Sequence, residues 1–208
     1  MSFFGSNRRF VPAVLLAGAA GTAALSMSVT GTLSAFTAAI TDSANTTSMG
    51  TLVLQEKNSA GSVTCVSTDS SNNAAGCSTI SKYGGGTMAN GGSSTVTVNL
   101  TNTGTGTPAA FSMAAGACTQ SGSAPTGVTA ATDLCSQLTV KVYAAATTGT
   151  PVYSGTLSSL ATAGAQSLAT PAPSTTQPYT FVVSAPSSLG NTYMGLTASQ
   201  PLTWTLSS

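Results

Sequence analysis

Residues 95–102 read TVTVNLTN. Val96, Val98 and Leu100 fall on one side of an extended chain, and Thr95, Thr97, Asn99 and Thr101 on the other. That two-residue period belongs to a strand with one face in a core and one in water. The same text recurs outward from it. In Leu138–Tyr143 the residues Leu138, Val140 and Val142 oppose Lys141 and Tyr143, and Thr150–Ser154 is placed to pair with this run across Ala144–Gly149. Tyr179–Ser184 and Leu202–Leu206 close the chain, the latter with Leu202, Trp204 and Leu206 in one phase. Upstream, Thr51–Lys57 and Ser62–Thr68 flank a turn at Asn58–Gly61, and Asp69–Gly76 and Tyr83–Ser94 are polar, glycine-bearing loops. Pro108–Met113 reads as an edge strand, since proline cannot donate to a ladder. Leu157–Ala169 is ambiguous and could hold a helical turn. Short strands between turn signals, with no long amphipathic helix, predict an all-β antiparallel β-sandwich with jelly-roll topology.

The 208-residue chain is only 4% charged, against roughly 25% in an average soluble protein. Arg8 and Arg9 lie near the N-terminus; beyond them three lysines face four acids, a net charge near −1. No basic stripe exists, which argues against nucleic-acid binding. Hydrophobic residues make up 41%, enough for a core, while Ser, Thr, Asn and Gly take the place of charge on the surface. Such a surface offers little repulsion between copies and permits self-association. Histidine is absent, so neither a Ser-His-Asp triad nor a His-ligated metal can be built. The remaining titratable groups, Asp42, Glu56, Asp69, Asp133, Lys57, Lys82 and Lys141, are scattered with no convergent spacing, and the chain is not read as an enzyme. Asp42 and Glu56 read as solvated surface. The stretch TGTGTP is no phosphate loop, because neither helix nor lysine follows it. No cofactor or metal is expected.

Met1–Leu25 has the form of an export signal, with Arg8-Arg9 ahead of an apolar run at Phe10–Leu25 that is short for a membrane span. Small residues at Thr32 and Ser34 place cleavage after Ser34, leaving Ala35 as the new N-terminus; cleavage nearer Ala24 is the alternative. The expected organisation is a signal at 1–34, an arm at 35–50 and a sandwich at 51–208, secreted and with no stable membrane insertion after processing. Within the arm, Phe36, Ala38 and Ile40 alternate with Thr37, Ala39 and Thr41, and Asp42–Ser48 is polar and small. The four cysteines, Cys65, Cys77, Cys118 and Cys135, read as structural disulfides in an exported chain. Of three connectivities, Cys65–Cys77 and Cys118–Cys135 are favoured, since each pair closes one short loop.

The pattern Gly-Thr-x-x-Ala-Phe at Gly31–Phe36, an Asn at 45, then Gly-Thr-Leu-x-Leu at Gly50–Leu54, resembles the N-terminus of the TasA/camelysin family of secreted biofilm-matrix fibre proteins. Asn191–Leu206 (NTYMGLTASQPLTWTL) is similar to the family's closing Asn-x-Tyr-Gln-Gly turn and last strand, with Met194 where Gln is usual. Four cysteines and the scarcity of charge depart from familiar members. The resemblance implies processing by a signal peptidase of the SipW type and a homopolymer built by donor-strand complementation. In that arrangement Ala35, Phe36, Ala38 and Ile40 of one copy complete the sheet of the next. The metalloprotease activity described for some relatives does not carry over to a chain without histidine. Two other readings stand beside it. The arm is the first strand of its own domain, or the protein is a monomeric adhesin or glycan-binding module using Tyr83, Tyr143, Tyr153, Tyr179, Tyr193 and Trp204.

Overall fold

The computed structural model describes residues 47–67 and 79–208. Eleven strands are present among them, all paired antiparallel. They are β1 (Leu54–Asn58), β2 (Thr64–Val66), β3 (Ser93–Asn102), β4 (Ala110–Ala115), β5 (Thr119–Gly122), β6 (Thr139–Ala144), β7 (Tyr153–Thr156), β8 (Gln166–Leu168), β9 (Thr176–Ser184), β10 (Leu196–Ser199) and β11 (Leu202–Ser207). Among the described residues helix is confined to two short pieces, α1 (Leu134–Gln137) and α2 (Leu157–Thr162), and a 3₁₀ turn at Asn191–Tyr193. The all-β, antiparallel, sandwich-like architecture expected from the alternating text is what the chain adopts.

The larger sheet has six strands in the order β2-β1-β3-β9-β6-β7. Its centre is the opening segment: Val98 of β3 lies opposite Tyr179 of β9, and Val96 opposite Phe181. Val98, Leu100, Val140, Val142, Tyr179 and Phe181 are all fully buried, and the side chains of alternate residues face outward. Thr97 and Thr180 share a hydroxyl hydrogen bond across the outer face, as do Thr101 and Thr176. Each buried aliphatic or aromatic side chain contributes about 1.5–3 kcal/mol, so these three central strands dominate the stability.

A second layer faces them. Its sheet runs β11-β4-β8, and a two-stranded ladder, β10-β5, extends it. The two ladders form one bent ribbon. Leu202 faces Ala115, and Ser199 faces Thr119, so one strand advances four residues while its partner advances three. The extra residue is a bulge, which bends the ribbon. It is fixed by the Gly116 amide donating to the Pro201 carbonyl and by the Gln200 amide donating to the carbonyls of Gly116 and Leu157. The Cys118–Cys135 disulfide ties the bend to α1, as its short loop suggested. Cys65 is also disulfide-bonded; Cys77 lies outside the described residues.

Two expectations need correction. Pro108 precedes β4 by two residues and leaves its ladder intact, so β4 pairs on both sides, with β11 and β8, and is no edge. Glu56 is buried: Lys82 Nζ lies 3.0 Å from Oε2, to which it donates, and 2.9 Å from Oε1, which it holds by charge in a poor hydrogen-bond direction. The ambiguous segment resolves by length. Thr156 and Ser159 form a reciprocal capping box that starts α2 and buries Leu157 and Leu160, and three residues of β8 follow after the turn. The glycines of TGTGTP serve close packing: a Cβ on Gly104 would sit 2.1 Å from the Thr51 carbonyl oxygen. Asn102, fully buried, holds that turn by accepting from the Gly104 amide and donating to the carbonyls of Gly106 and Pro171.

Candidate functional site

The last strand carries the features that set this molecule apart. In β11, LTWTLS, the residues Leu202, Trp204 and Leu206 point inward and are partly buried against the core, while Thr203, Thr205 and Ser207 are exposed. Trp204 is the centre of an aromatic cluster that joins the two layers. Its ring lies 6.0 Å from Phe111, stacked, 5.4 Å from Tyr179 and 6.1 Å from Phe181, edge-on. Its indole Nε1 is buried and has no hydrogen-bond partner among the described residues. Burial pushes the Tyr179 hydroxyl up to about 12, and that hydroxyl donates to Gln177.

β11 pairs with β4 on one side only. The Gly116-to-Pro201 bond sets the phase of this pairing, and the Ala109 amide donating to the Ser207 carbonyl agrees with it. In an antiparallel ladder, hydrogen-bonded and non-bonded pairs alternate. The main-chain groups of Thr203, Thr205 and Ser207 therefore face β4, and those of Leu202, Trp204 and Leu206 face away. Among the described residues nothing pairs with that outer side of the strand. At six residues β11 is longer than the strands that end the other ladders: β2 and β8 have three, and β5, β7 and β10 four. It contains neither charge nor proline, the devices that usually guard a strand edge.

The titratable groups are dispersed. Glu56 is taken up by Lys82. The Asp133 carboxylate accepts from the Tyr193 hydroxyl at 2.7 Å and from the Gln137 amide at 2.7 Å, and these bonds hold it below its ordinary range. The same contact raises Tyr193. Burial raises Tyr83, first of all, with the neighbouring Tyr153 adding to it; its hydroxyl donates to Gln200. Asp42 and Asp69 lie outside the described residues. No three metal-ligating side chains gather among the described residues. A shallow hollow of about 240 Å³, lined by Gly84, Thr87, Met88, Gly92 and Ser94 among others, presents no ionisable group.

The sequence-derived site residues fare as follows. Ser34, Ala35, Phe36, Ala38 and Ile40 lie outside the described residues. The aromatic residues considered as a stacking surface are not gathered on one face. Tyr179 is core and Trp204 joins the layers; Tyr83 and Tyr153 neighbour each other, with their hydroxyls bonded to Gln200 and Ser159, and Tyr193 is tied to Asp133. The unguarded edge of β11 was not anticipated, although the absence of charge and proline in LTWTLS was legible. No helix among the described residues is long and apolar enough to cross a membrane. No protein-family model matches the chain, and no curated protein matches it.

Proposed function

We propose that this protein is an exported structural subunit that polymerises outside the cell, each copy lending its N-terminal arm to the sheet of the next. The observation that carries this reading is the arm itself. Phe36, Ala38 and Ile40 form an apolar comb of period two, followed by the polar stretch Asp42–Ser48, and the titratable groups of the sequence have no convergent spacing. Strand addition to an open sheet needs those parts: main-chain hydrogen bonds for affinity, alternate side chains for fit, and a hinge to let the segment leave. Burial of Phe36 and Ile40 would contribute about 1.5–3 kcal/mol each. A contact of this head-to-tail kind does not close on itself, so it propagates into a filament. The scarcity of charge supports the reading by leaving little repulsion between copies. The TasA-like segments at Gly31–Leu54 and Asn191–Leu206 support both the fibre and the extracellular matrix as its location.

Size-exclusion chromatography and negative-stain microscopy of the purified, processed protein test the proposal. Filaments are expected from the parent chain. Deleting 35–40, or Ile40→Asp, is expected to abolish them while the melting temperature of the domain stays within about 2 °C, because the core among the described residues is built from Leu54 onward. A monodisperse monomer from the parent chain at high concentration would refute it.

A further inference from the structure

Resting on the fibre reading above, we infer that the acceptor for a neighbouring copy's arm is the outer edge of β11, Leu202–Ser207. An open strand edge without charge, proline or bulge is a template for another strand, and β11 is the longest such edge among the described strands. Its unpaired main-chain groups belong to Leu202, Trp204 and Leu206, the same residues whose side chains face the core. A strand added there gains backbone bonds at each of these residues. It also continues the inner apolar row formed by Leu202, Trp204 and Leu206.

The arm fits this edge in length and in shape. Ala35–Ile40 has six residues, as β11 has. Centring the comb Phe36, Ala38, Ile40 on the row Leu202, Trp204, Leu206 puts the smallest arm residue, Ala38, beside the largest edge residue, Trp204. Phe36 and Ile40 then lie beside the two leucines. The match holds in either strand direction, because Ala38 and Trp204 are each the middle member of three. Large beside small is how adjacent strands fill one layer without overlap. The six residues 41–46 lie between the comb and the first described residue, Thr47. At about 3.3–3.6 Å each they reach some 20 Å, enough to carry the comb away from the parent domain.

The test places a photo-reactive probe on the edge and leaves the arm intact. Thr205 is exposed on the outer face of β11, so Thr205→p-benzoylphenylalanine leaves the core undisturbed. Unlabelled chain carrying this substitution is co-assembled with ¹⁵N-labelled parent chain, irradiated, and mapped by mass spectrometry. The expected result is hybrid adducts joining Thr205 of one copy to residues 35–41 of a labelled one. The single tryptophan, Trp204, should also shift its emission to shorter wavelength when parent chain assembles. Filaments whose adducts fall on other segments, or only within one chain, would overturn the β11 assignment and leave the fibre reading standing. Failure of the parent chain to form filaments would remove both.

Discussion

Replacing Lys82 by methionine removes one half of an ion pair that the fold has almost wholly taken out of water. The Glu56 and Lys82 side chains are 6% and 11% exposed, and Nζ lies 2.9 Å from Oε1. Glu56 sits on β1 opposite Leu100, with an inward direction that the apolar neighbours on β3 share. Without Lys82 its carboxylate has no counter-charge in that setting. Breaking a buried pair in this way costs about 3–5 kcal/mol. The residual exposure of Lys82 places the expected loss near the lower end, about 3 kcal/mol. Urea denaturation followed through the emission of Trp204 measures it, and with an m value of about 2 kcal/mol/M the midpoint falls by about 1.5 M. The double replacement Glu56→Leu with Lys82→Met should recover most of the loss, because exchanging a whole buried pair for apolar groups is commonly near neutral. A Lys82→Met midpoint within about 0.3 M of the parent, on the same m value, would show that the carboxylate finds water, and would refute the argument that the pair is desolvated.

Three further outcomes follow from the same structure. Cys118→Ala with Cys135→Ala opens a loop with a sequence separation of 17 and should lower stability by about 3 kcal/mol, read as a lower urea midpoint; an unchanged midpoint would mean the loop is already confined without the bond. Gly104→Ala drives a methyl group toward the Thr51 carbonyl and should cost about 1–3 kcal/mol by overpacking, measured by thermal melting, whereas no loss would mean the 103–106 turn yields freely. Tyr193→Phe removes a donor from Asp133, whose carboxyl should titrate closer to its ordinary value in a carbon-detected NMR titration; no upward move would mean the bond is not made in solution. The sign is set by the depressed folded value: the contribution of Asp133 is complete above its unfolded value of about 4 and is lost as pH falls through the folded one. The variant's stability should therefore fall less on acidification below pH about 4.

Sequence alone determined the strands whose residues alternate cleanly. β3, β6 and β11 each put their apolar residues on one side, and the structure buries those sides against one another, because a period of two has no other way to hide from water. It also favoured the Cys118–Cys135 pairing, which the structure contains, among three connectivities it left open, and it marked the apolar comb at Phe36, Ala38 and Ile40 apart from the polar stretch behind it. Tertiary structure decided the rest. β5 and β10, TQSG and LTAS, are too polar to announce themselves; they are strands because the ribbon of β4 and β11 continues through the bulge at Gly116 and Pro201. Glu56 looked like surface, since a carboxylate in a short strand says nothing of a lysine 26 residues away that will fold over it. The open side of β11 was hidden for the same reason. A strand becomes an edge through what fails to lie beside it, and neighbours are assigned by the whole sheet, never by the six residues themselves.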